Sequence, residues 1–295
     1  MKKAIVLSAF GSTEPTALQP FLDTVKEVGE AFPACDTHLA FTSPTIRDIW
    51  HNRTGNKTFR AEQPQIPELF YNVQTPLSVL ADLQAKGYKQ VVVQPLYMVE
   101  GTEFYDLRAT VNALRSIVTF RAQNTPFPAL ALGRPFLGMN SDTRDYHQDI
   151  QTMAEALKDD ISQARKYNQA LVYAGHGTPR YATPAYTELE AKLQELGDIP
   201  VFFATLEGWP DLPSLVTRLQ TAKIKKILLK SFCFTCGKHS LQDIAGEKAD
   251  SWLTVLRGSG FDVQTELNSI GSRPQVRRIL VQHILDAATE AGIDL

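Results

Sequence analysis

The chain has 295 residues, of which 43% are hydrophobic and 21% charged, an ordinary globular composition that leaves room for two domains. Its formal net charge of −2 argues against a nucleic-acid-binding surface. No apolar run approaches the roughly 20 residues of a membrane span. Three cysteines are too few for a disulfide-built secreted domain. We therefore expect a globular protein with neither a nucleic-acid nor a membrane partner.

The N-terminus, MKKAIVLSAFG, imitates the start of a secretory signal peptide, with two lysines ahead of an apolar run. The apolar run is short, ends at Gly11-Ser12-Thr13 and is not followed by an Ala-x-Ala cleavage pattern. The segment is better interpreted as a first β-strand followed by a turn, and a cytoplasmic location is expected.

Short apolar runs that predict strands alternate with helical patterns along the chain. The predicted strands are residues 4–9, 38–42, 90–96, 129–132, 170–174, 201–205, 226–232 and 262–266. Amphipathic helical rhythms cover residues 18–32, 77–83, 212–219 and 274–291, and the polar segment 51–63 is predicted to be a surface loop. This alternation predicts an α/β fold with parallel sheets flanked by helices, in which ligands bind beyond the carboxyl ends of the strands.

The sequence repeats itself weakly at a spacing of 136 residues. LQAKGYKQVVVQPLYMVEGTEF, from Leu83, aligns without a gap with LQTAKIKKILLKSFCFTCGKHS, from Leu219. The start of the chain also resembles the segment around residue 175, since AFGS at 9–12 is similar to GHGT at 175–178. Two similarities in the same order predict two related α/β lobes, residues 1–140 and 141–295, with the boundary where Gly, Asn, Ser and Asp cluster.

The repeat assigns four side chains to equivalent strand-end loops: Phe10, Glu103, His176 and His239. Two related lobes that face each other would bring these loops to one cleft. Because His and Glu side chains bind borderline divalent metals and transfer protons, the cleft is a candidate active site.

His176 and Glu207 each follow an apolar run. Glycines flank His176 and permit unusual dihedrals and close ligand approach, which favours a functional histidine over one that only satisfies a turn. Glu207, in ATLEGWP, could equally be a ligand or a cap for the next helix, and the sequence leaves both alternatives open.

Cys233 and Cys236 form a C-x-x-C pattern with His239 three residues later. In a continuing strand, side chains three residues apart point to opposite faces. A c-type haem motif needs the histidine directly after the second cysteine, and a structural zinc site needs a fourth ligand, which the distant Cys35 does not offer. A redox pair belongs at a helix N-terminus early in a βαβ unit. We therefore predict two small buried side chains.

The motifs in their order along the chain resemble a known family, the anaerobic sirohydrochlorin cobaltochelatases of the CbiK type, which are class II chelatases. The similar segments are SAFGS from Ser8, AFTS from Ala40, TPL from Thr75, GHG from Gly175 and EGWP from Glu207. A further one is GKH from Gly237, followed by Asp243, Ala245-Gly246 and DSW from Asp250. The resemblance implies two similar α/β lobes with an active cleft between them. It also implies ATP-independent insertion of Co(II) into sirohydrochlorin for cobalamin biosynthesis, with Fe(II) for sirohaem as an alternative.

The resemblance implies that His176, Glu207 and His239 bind the metal and that Glu103 is a further acidic active-site residue. We predict that His176 is the main base, with His239 and Glu103 assisting. No cofactor is expected beyond the substrate metal, Co(II), Fe(II) or Ni(II), and self-association is left open. The chain departs from the family at Tyr97, where QPLY replaces the frequent QSLH.

The polycarboxylate substrate needs hydrogen-bond donors and positive charge. Hydroxyls at strand-to-helix turns are candidates, because helix N-termini bind anions. The predicted substrate-binding residues are Phe10, Ser12, Thr13, Ser43, Thr178 and Lys238, with Arg47 and Arg180 as added charge. Two rival functions remain: a carrier that binds metal or tetrapyrrole without turnover, and a C-x-x-C thiol oxidoreductase.

Overall fold

The first sheet has four parallel strands in the order β2-β1-β3-β4. The computed structural model describes residues 1–141, 143–179 and 183–295, with the backbone alone described at 183 and 238–240. Ser8 of β1 lies beside Ala40 of β2 and Pro95 of β3, so the carboxyl ends of these strands share one edge. The strands are β1 (Lys3–Ala9), β2 (Asp36–Phe41), β3 (Gln90–Pro95) and β4 (Ala129–Leu132).

The second sheet repeats this arrangement in the order β6-β5-β7-β8, again all parallel. Gly175 of β5 lies beside Thr205 of β6 and Phe232 of β7. The strands are β5 (Ala170–Gly177), β6 (Val201–Glu207), β7 (Lys226–Phe232) and β8 (Asp262–Glu266). The predicted α/β fold with parallel sheets is confirmed.

Helices connect the strands and cover both sheets. Val28 and Phe21 of α1 are buried, which confirms the apolar face predicted for residues 18–32. The helices are α1 (Gln19–Ala31), α2 (Pro44–Thr54), α3 (Lys57–Glu62), α4 (Glu68–Tyr71), α5 (Pro76–Ala85), α6 (Thr102–Arg115), α7 (Tyr146–Ala156), α8 (Lys158–Lys166), α9 (Thr183–Leu196), α10 (Leu212–Thr221), α11 (Lys238–Ala245), α12 (Trp252–Gly258) and α13 (Pro274–Glu290).

The central strands are apolar on both faces because helices cover them on both sides. In β1, residues 4–7 have no accessible surface, and the same holds for residues 171–174 of β5. Branched and aromatic side chains of these strands pack against helices, as Val6 does against Leu80 and Leu107, and Leu229 does against Leu215. The sequence therefore shows continuous apolar runs here, without the alternation of a half-exposed strand.

The weak sequence repeat corresponds to a structural repeat. Strand order is the same in both sheets, and α5 and α10 have the same length and lie 136 positions apart. The starts of α6 and α11 keep the same spacing. The first half differs by an insertion, because α2, α3 and α4 lie within residues 42–75, where the second half has only residues 208–211 between β6 and α10.

The chain forms two compact units that are not consecutive blocks of sequence. The first contains residues 1–97, 103–135 and 277–295, and the second contains 98–102 and 136–276. Most of α13 therefore groups with the first unit, whereas the sequence analysis places it in the second lobe. Ion pairs link the start of this segment to the first unit, since the Arg277 guanidinium contacts Glu27 at 2.5 Å and Asp23 at 3.7 Å, both on α1.

Two local expectations differ from the structure. Residues 51–63 are not a loop, because they complete α2 and form α3, whose exposed polar surface gave the segment its loop-like composition. Strands β5 and β6 run further than predicted and include His176 and Glu207. Apolar runs mark only the buried part of a strand, so polar residues at its exposed end were missed.

Among the residues that the structure describes, no helix is both long enough and apolar enough to cross a lipid bilayer.

Candidate metal and substrate site

Three of the predicted metal-binding residues belong to neighbouring elements of the second unit. His176 and Glu207 lie at the carboxyl ends of β5 and β6, and both are exposed. His239 is the second residue of α11, which follows β7 on the other side of β5, and its side chain lies outside the described part of the structure. Since β6, β5 and β7 are adjacent and parallel, all three positions lie at the same edge of the sheet.

The ends of β5 and β6 approach each other unusually closely at two glycines. Gly177, with φ of +77°, pairs in register with Glu207, and a Cβ at this position would lie 1.9 Å from the Glu207 carbonyl oxygen. Gly208, with φ of +92°, packs against Thr178, whose carbonyl oxygen would lie 2.6 Å from a Cβ. Only glycine permits both these dihedrals and this separation.

His176 presents an exposed imidazole at the end of a buried strand. Its Nδ1 lies 3.3 Å from the carbonyl oxygen of Gly177, a weak local contact. Behind it, Tyr186 of α9 is buried, stacks against Phe203 and forms a hydrogen bond with the backbone of Gly177. Burial raises the pKa of Tyr186, and the hydrogen bond with Gly177 opposes this rise.

Glu207 does not cap the helix that follows it. The N-cap of α10 is Asp211, whose carboxylate accepts hydrogen bonds from the backbone N–H and the hydroxyl of Ser214. These bonds lower the pKa of Asp211. The capping alternative for Glu207 is therefore wrong, and its exposed carboxylate is available to a ligand. Trp209, two residues after Glu207 in the chain, is 58% exposed.

Cys233 and Cys236 are buried thiols, as predicted. The Cys236 Sγ lies 2.8 Å from the Ser231 hydroxyl, and burial raises the pKa of the Cys236 thiol. A buried thiol with a raised pKa forms little reactive thiolate, so this geometry disfavours a redox pair.

In the first unit, a separate group of polar side chains lies at the carboxyl ends of β1, β2 and β3. The Tyr97 hydroxyl lies 3.3 Å from the Ser8 hydroxyl and donates to the Thr42 hydroxyl at 3.3 Å. Burial raises the pKa of Tyr97 to about 12, against the opposing effect of these two bonds, and the charge of Glu103 adds to the rise. Phe10 follows β1 and is 51% exposed.

Glu103 does not lie in a loop, because it is the second residue of α6 and is half-buried. His239 likewise occupies the first turn of α11, so both residues begin helices at equivalent positions. The prediction of strand-end loops was wrong at these two positions, since glycines at 101 and 237 mark helix starts.

The predicted substrate-binding hydroxyls differ in their surroundings. Ser43 is buried and its hydroxyl caps α2 by accepting from the Ile46 N–H. Ser12 is buried and accepts from the Glu14 N–H. Thr13 is partly exposed, and Thr178 is buried beside Gly208.

Of the three basic residues predicted to bind the substrate, only Arg47 has a described side chain. The Arg47 guanidinium donates to the carbonyl oxygens of Phe41 and Thr42, which places it beneath the strand end of β2. The side chain of Lys238 and all of Arg180 lie outside the described residues. A substrate role for these side chains stays a prediction.

The sequence reasoning missed two side chains near these edges. Trp209, which the sequence analysis considered only within the EGWP segment, is exposed in the structure, and tryptophan is enriched at interfaces. Ser8 was treated as part of a strand, and its contact with Tyr97 joins residues 89 positions apart, which periodicity does not reveal. Within the described residues, which do not include the side chain of His239, no three His, Cys, Asp or Glu side chains are grouped as a metal site.

Two four-stranded parallel sheets of the same strand order, flanked by helices, are the fold of class II chelatases. The same fold occurs in SirB from Bacillus subtilis solved with Fe3+, with a TM-score of 0.61 and 14% identity over 99% of this chain and 98% of that one. The fold also occurs in the sirohydrochlorin chelatase SirB of Bacillus subtilis subspecies spizizenii in complex with cobalt. The TM-score is 0.60, and the identity is 13% over 99% of this chain and 97% of that one. This chain belongs to the cobalt chelatase (CbiK) family, whose model matches residues 3–289.

Two relatives of similar sequence are sirohydrochlorin cobaltochelatases. The chain is 25% identical to the sirohydrochlorin cobaltochelatase of Salmonella typhimurium strain LT2, over 99% of this chain and 98% of that protein. It is 28% identical to the sirohydrochlorin cobaltochelatase CbiKC of Nitratidesulfovibrio vulgaris strain Hildenborough, over 88% of this chain and 81% of that protein.

Proposed function

We propose that this chain is a sirohydrochlorin cobaltochelatase, which inserts Co(II) into sirohydrochlorin without ATP. The observation that supports this most is the position of His176, Glu207 and His239 at the carboxyl ends or in the following helix of three adjacent parallel strands, in a chain of the cobalt chelatase family. Two histidines and a carboxylate suit a borderline divalent ion such as Co(II).

Metal insertion requires three changes: Co(II) loses water, two pyrrole N–H protons leave, and four ring nitrogens bind the ion. We propose that His176, Glu207 and His239 replace water on the ion and leave coordination positions open for the ring nitrogens. His176 then accepts a pyrrole proton, because its imidazole is exposed at the strand end. Glu103 of α6 is proposed to carry the second proton away.

The macrocycle needs an apolar contact as well as charge. Trp209, exposed two residues after Glu207 in the chain, is proposed to contact the macrocycle, and Phe10, exposed after β1, stays a proposed substrate-binding residue. Tyr97 donates its hydroxyl proton to Thr42 at 3.3 Å, and it is proposed to orient the Thr42 hydroxyl at this strand end.

The choice of metal is part of the proposal. The same nitrogen and oxygen ligands accept Fe(II) and Ni(II), and metal availability contributes to selection in cells. Turnover measured with each ion separately tests this choice, and Co(II) is expected to give the highest kcat/KM.

His176→Ala tests the base assignment. We expect its rate of metallation to fall by about 10²–10⁴-fold, the usual contribution of general base catalysis. The measurement is the absorbance change of sirohydrochlorin on adding Co(II), with substoichiometric protein and the uncatalysed rate subtracted. His147→Ala is the matched control, because His147 is an exposed histidine of the same unit that pairs with Glu188 on the surface.

Wild-type turnover in His176→Ala would contradict the assignment of the base. Formation of no more than one equivalent of product per protein by the wild type would instead favour a carrier that binds metal or tetrapyrrole without turnover.

A further inference from the structure

We propose that Ser269 is a positioning residue, which holds the turn before α11 and thereby sets the backbone position of His239. The inference rests on the proposed function, because it assigns significance to His239 as a metal ligand. It concerns residues 268–271, which we call the brace, and the turn 233–237 that joins β7 to α11.

Four hydrogen bonds connect the brace to the end of β7 and the turn. The hydroxyl of Ser231 donates to the carbonyl oxygen of Asn268 at 2.9 Å, and the backbone N–H of Cys236 donates to the Ser269 hydroxyl at 2.8 Å. Two backbone bonds complete the set: Ile270 N–H to the Cys233 carbonyl at 3.0 Å, and Gly271 N–H to the Phe234 carbonyl at 3.1 Å. These bonds run along the turn to the residue just before the N-cap of α11.

Of these four bonds, the one from Cys236 lies nearest to α11 along the chain. It is made by a side chain, whereas the bonds at Cys233 and Phe234 use backbone atoms that any sequence supplies. Cys236 immediately precedes Gly237, the N-cap of α11, whose glycine has no side chain to cap the helix. Ser269 therefore holds the residue that directly precedes the N-cap of the helix that carries His239.

Ion pairs anchor the chain just after the brace, at Arg273. Arg273, two residues after it, donates to both carboxylate oxygens of Asp160 at 2.8 Å. Asp160 of α8 is 3% exposed and also contacts the Lys230 ammonium at 3.0 Å and the Tyr173 hydroxyl at 2.6 Å. Because Lys230 belongs to β7, the same buried carboxylate anchors both the brace and the strand that it supports.

The brace also gives a function to the C-x-x-C motif. The Ser231 hydroxyl contacts the Cys236 Sγ at 2.8 Å while it donates to Asn268. Cys236 therefore contacts Ser231 through its thiol and Ser269 through its backbone N–H.

Ser269→Ala removes one hydrogen-bond acceptor and little volume. We expect faster amide hydrogen exchange in residues 232–244, a 10–100-fold weaker affinity for Co(II), and a lower kcat with an unchanged KM for sirohydrochlorin. Ser269→Thr keeps a hydroxyl and should restore all three. Ser272→Ala is the matched control, because Ser272 is an exposed serine of the same segment.

The outcomes separate the brace from the proposed function. Exchange in residues 232–244 that matches Ser272→Ala overturns the brace, and so does faster exchange with control-like Co(II) affinity and kcat. If the wild type neither binds Co(II) nor metallates sirohydrochlorin, the proposed function is wrong. Ser269 then has no role in positioning His239 as a metal ligand. The exchange measurement would still report whether the brace holds the turn.

Discussion

Gly177 allows the ends of β5 and β6 to meet at the proposed metal edge. Gly177→Ala places a methyl group 1.9 Å from the Glu207 carbonyl oxygen and 2.6 Å from the Thr205 Cβ, so the strands must separate. We expect a loss of about 1–2 kcal/mol from the left-handed backbone and a further 1–3 kcal/mol from overpacking. Urea unfolding measures the stability, and Co(II) titration measures the accompanying loss of affinity.

Gly87→Ala is the matched control for this substitution. Gly87 also has a positive φ, +82°, but a Cβ at this position would meet no atom within 4 Å. It should therefore lose only the backbone contribution and keep its Co(II) affinity. Equal destabilisation of the two variants would contradict the steric explanation at Gly177.

The candidate site was predictable wherever a side chain interrupts an apolar run. His176 stands out because it follows a buried strand between glycines, and Glu207 because it precedes the next turn. The hydrogen bond from Cys236 to Ser269 was not predictable, since it joins residues 33 positions apart and its donor is a backbone group. Long-range contacts of this kind depend on how the strands pair, which a single sequence does not specify.

A buried ionic cluster joins β7, β8 and α8 in the second unit. Lys230 is 4% exposed and contacts Glu266 at 2.7 Å and Asp160 at 3.0 Å. The sequence analysis predicted the strand at residues 226–232 but assigned no role to Lys230, because periodicity does not reveal that Lys230 has partners on two other elements. Such a lysine is compatible with burial only when its charge is paired.

Glu266 should make the stability of this cluster depend on pH. The hydrogen bond from Lys230 is the main cause that lowers the pKa of Glu266. A lowered pKa stabilises the folded state above the unfolded value of about 4.3, and this contribution is lost as the pH falls through the folded value. We therefore expect Glu266→Gln to lose about 1–3 kcal/mol at pH 7 and to approach the wild type in acid, measured by urea unfolding from pH 3 to 7.

Glu247→Gln serves as the control, because Glu247 is an exposed carboxylate of the same unit. It should leave the pH profile of unfolding unchanged. A constant difference between Glu266→Gln and the wild type at every pH would contradict the linkage to Glu266.

The molecule as a whole contains two similar α/β halves that follow each other in the sequence. The C-terminal residues 277–295, however, group with the first unit. The central strands were predictable because their cores are continuous apolar runs, and the 136-residue spacing revealed the relation between the two sheets. The membership of α13 was not predictable. Its helical rhythm is equally compatible with either sheet, and the ion pairs that decide the grouping connect Arg277 with α1, about 250 positions earlier in the chain.

Arg277→Ala tests this grouping. The Arg277 side chain is 11% exposed, and its removal leaves Glu27 and Asp23 without that cation, so α1 should lose protection. We expect a loss of about 1–3 kcal/mol, since hydrogen bonds to charged groups are involved, and faster amide exchange in residues 19–31. Strands β5 to β8 should keep their exchange rates, because they belong to the other unit.

Arg278→Ala provides the comparison, because Arg278 is the next residue of α13 and is exposed. If both variants give the same exchange in residues 19–31, the ion pairs of Arg277 do not hold the last helix on α1. Faster exchange confined to the second unit would instead favour the consecutive lobes predicted from the sequence. Retained protection of β5 to β8 with loss in α1 would establish that the chain returns to its first unit at the C-terminal end.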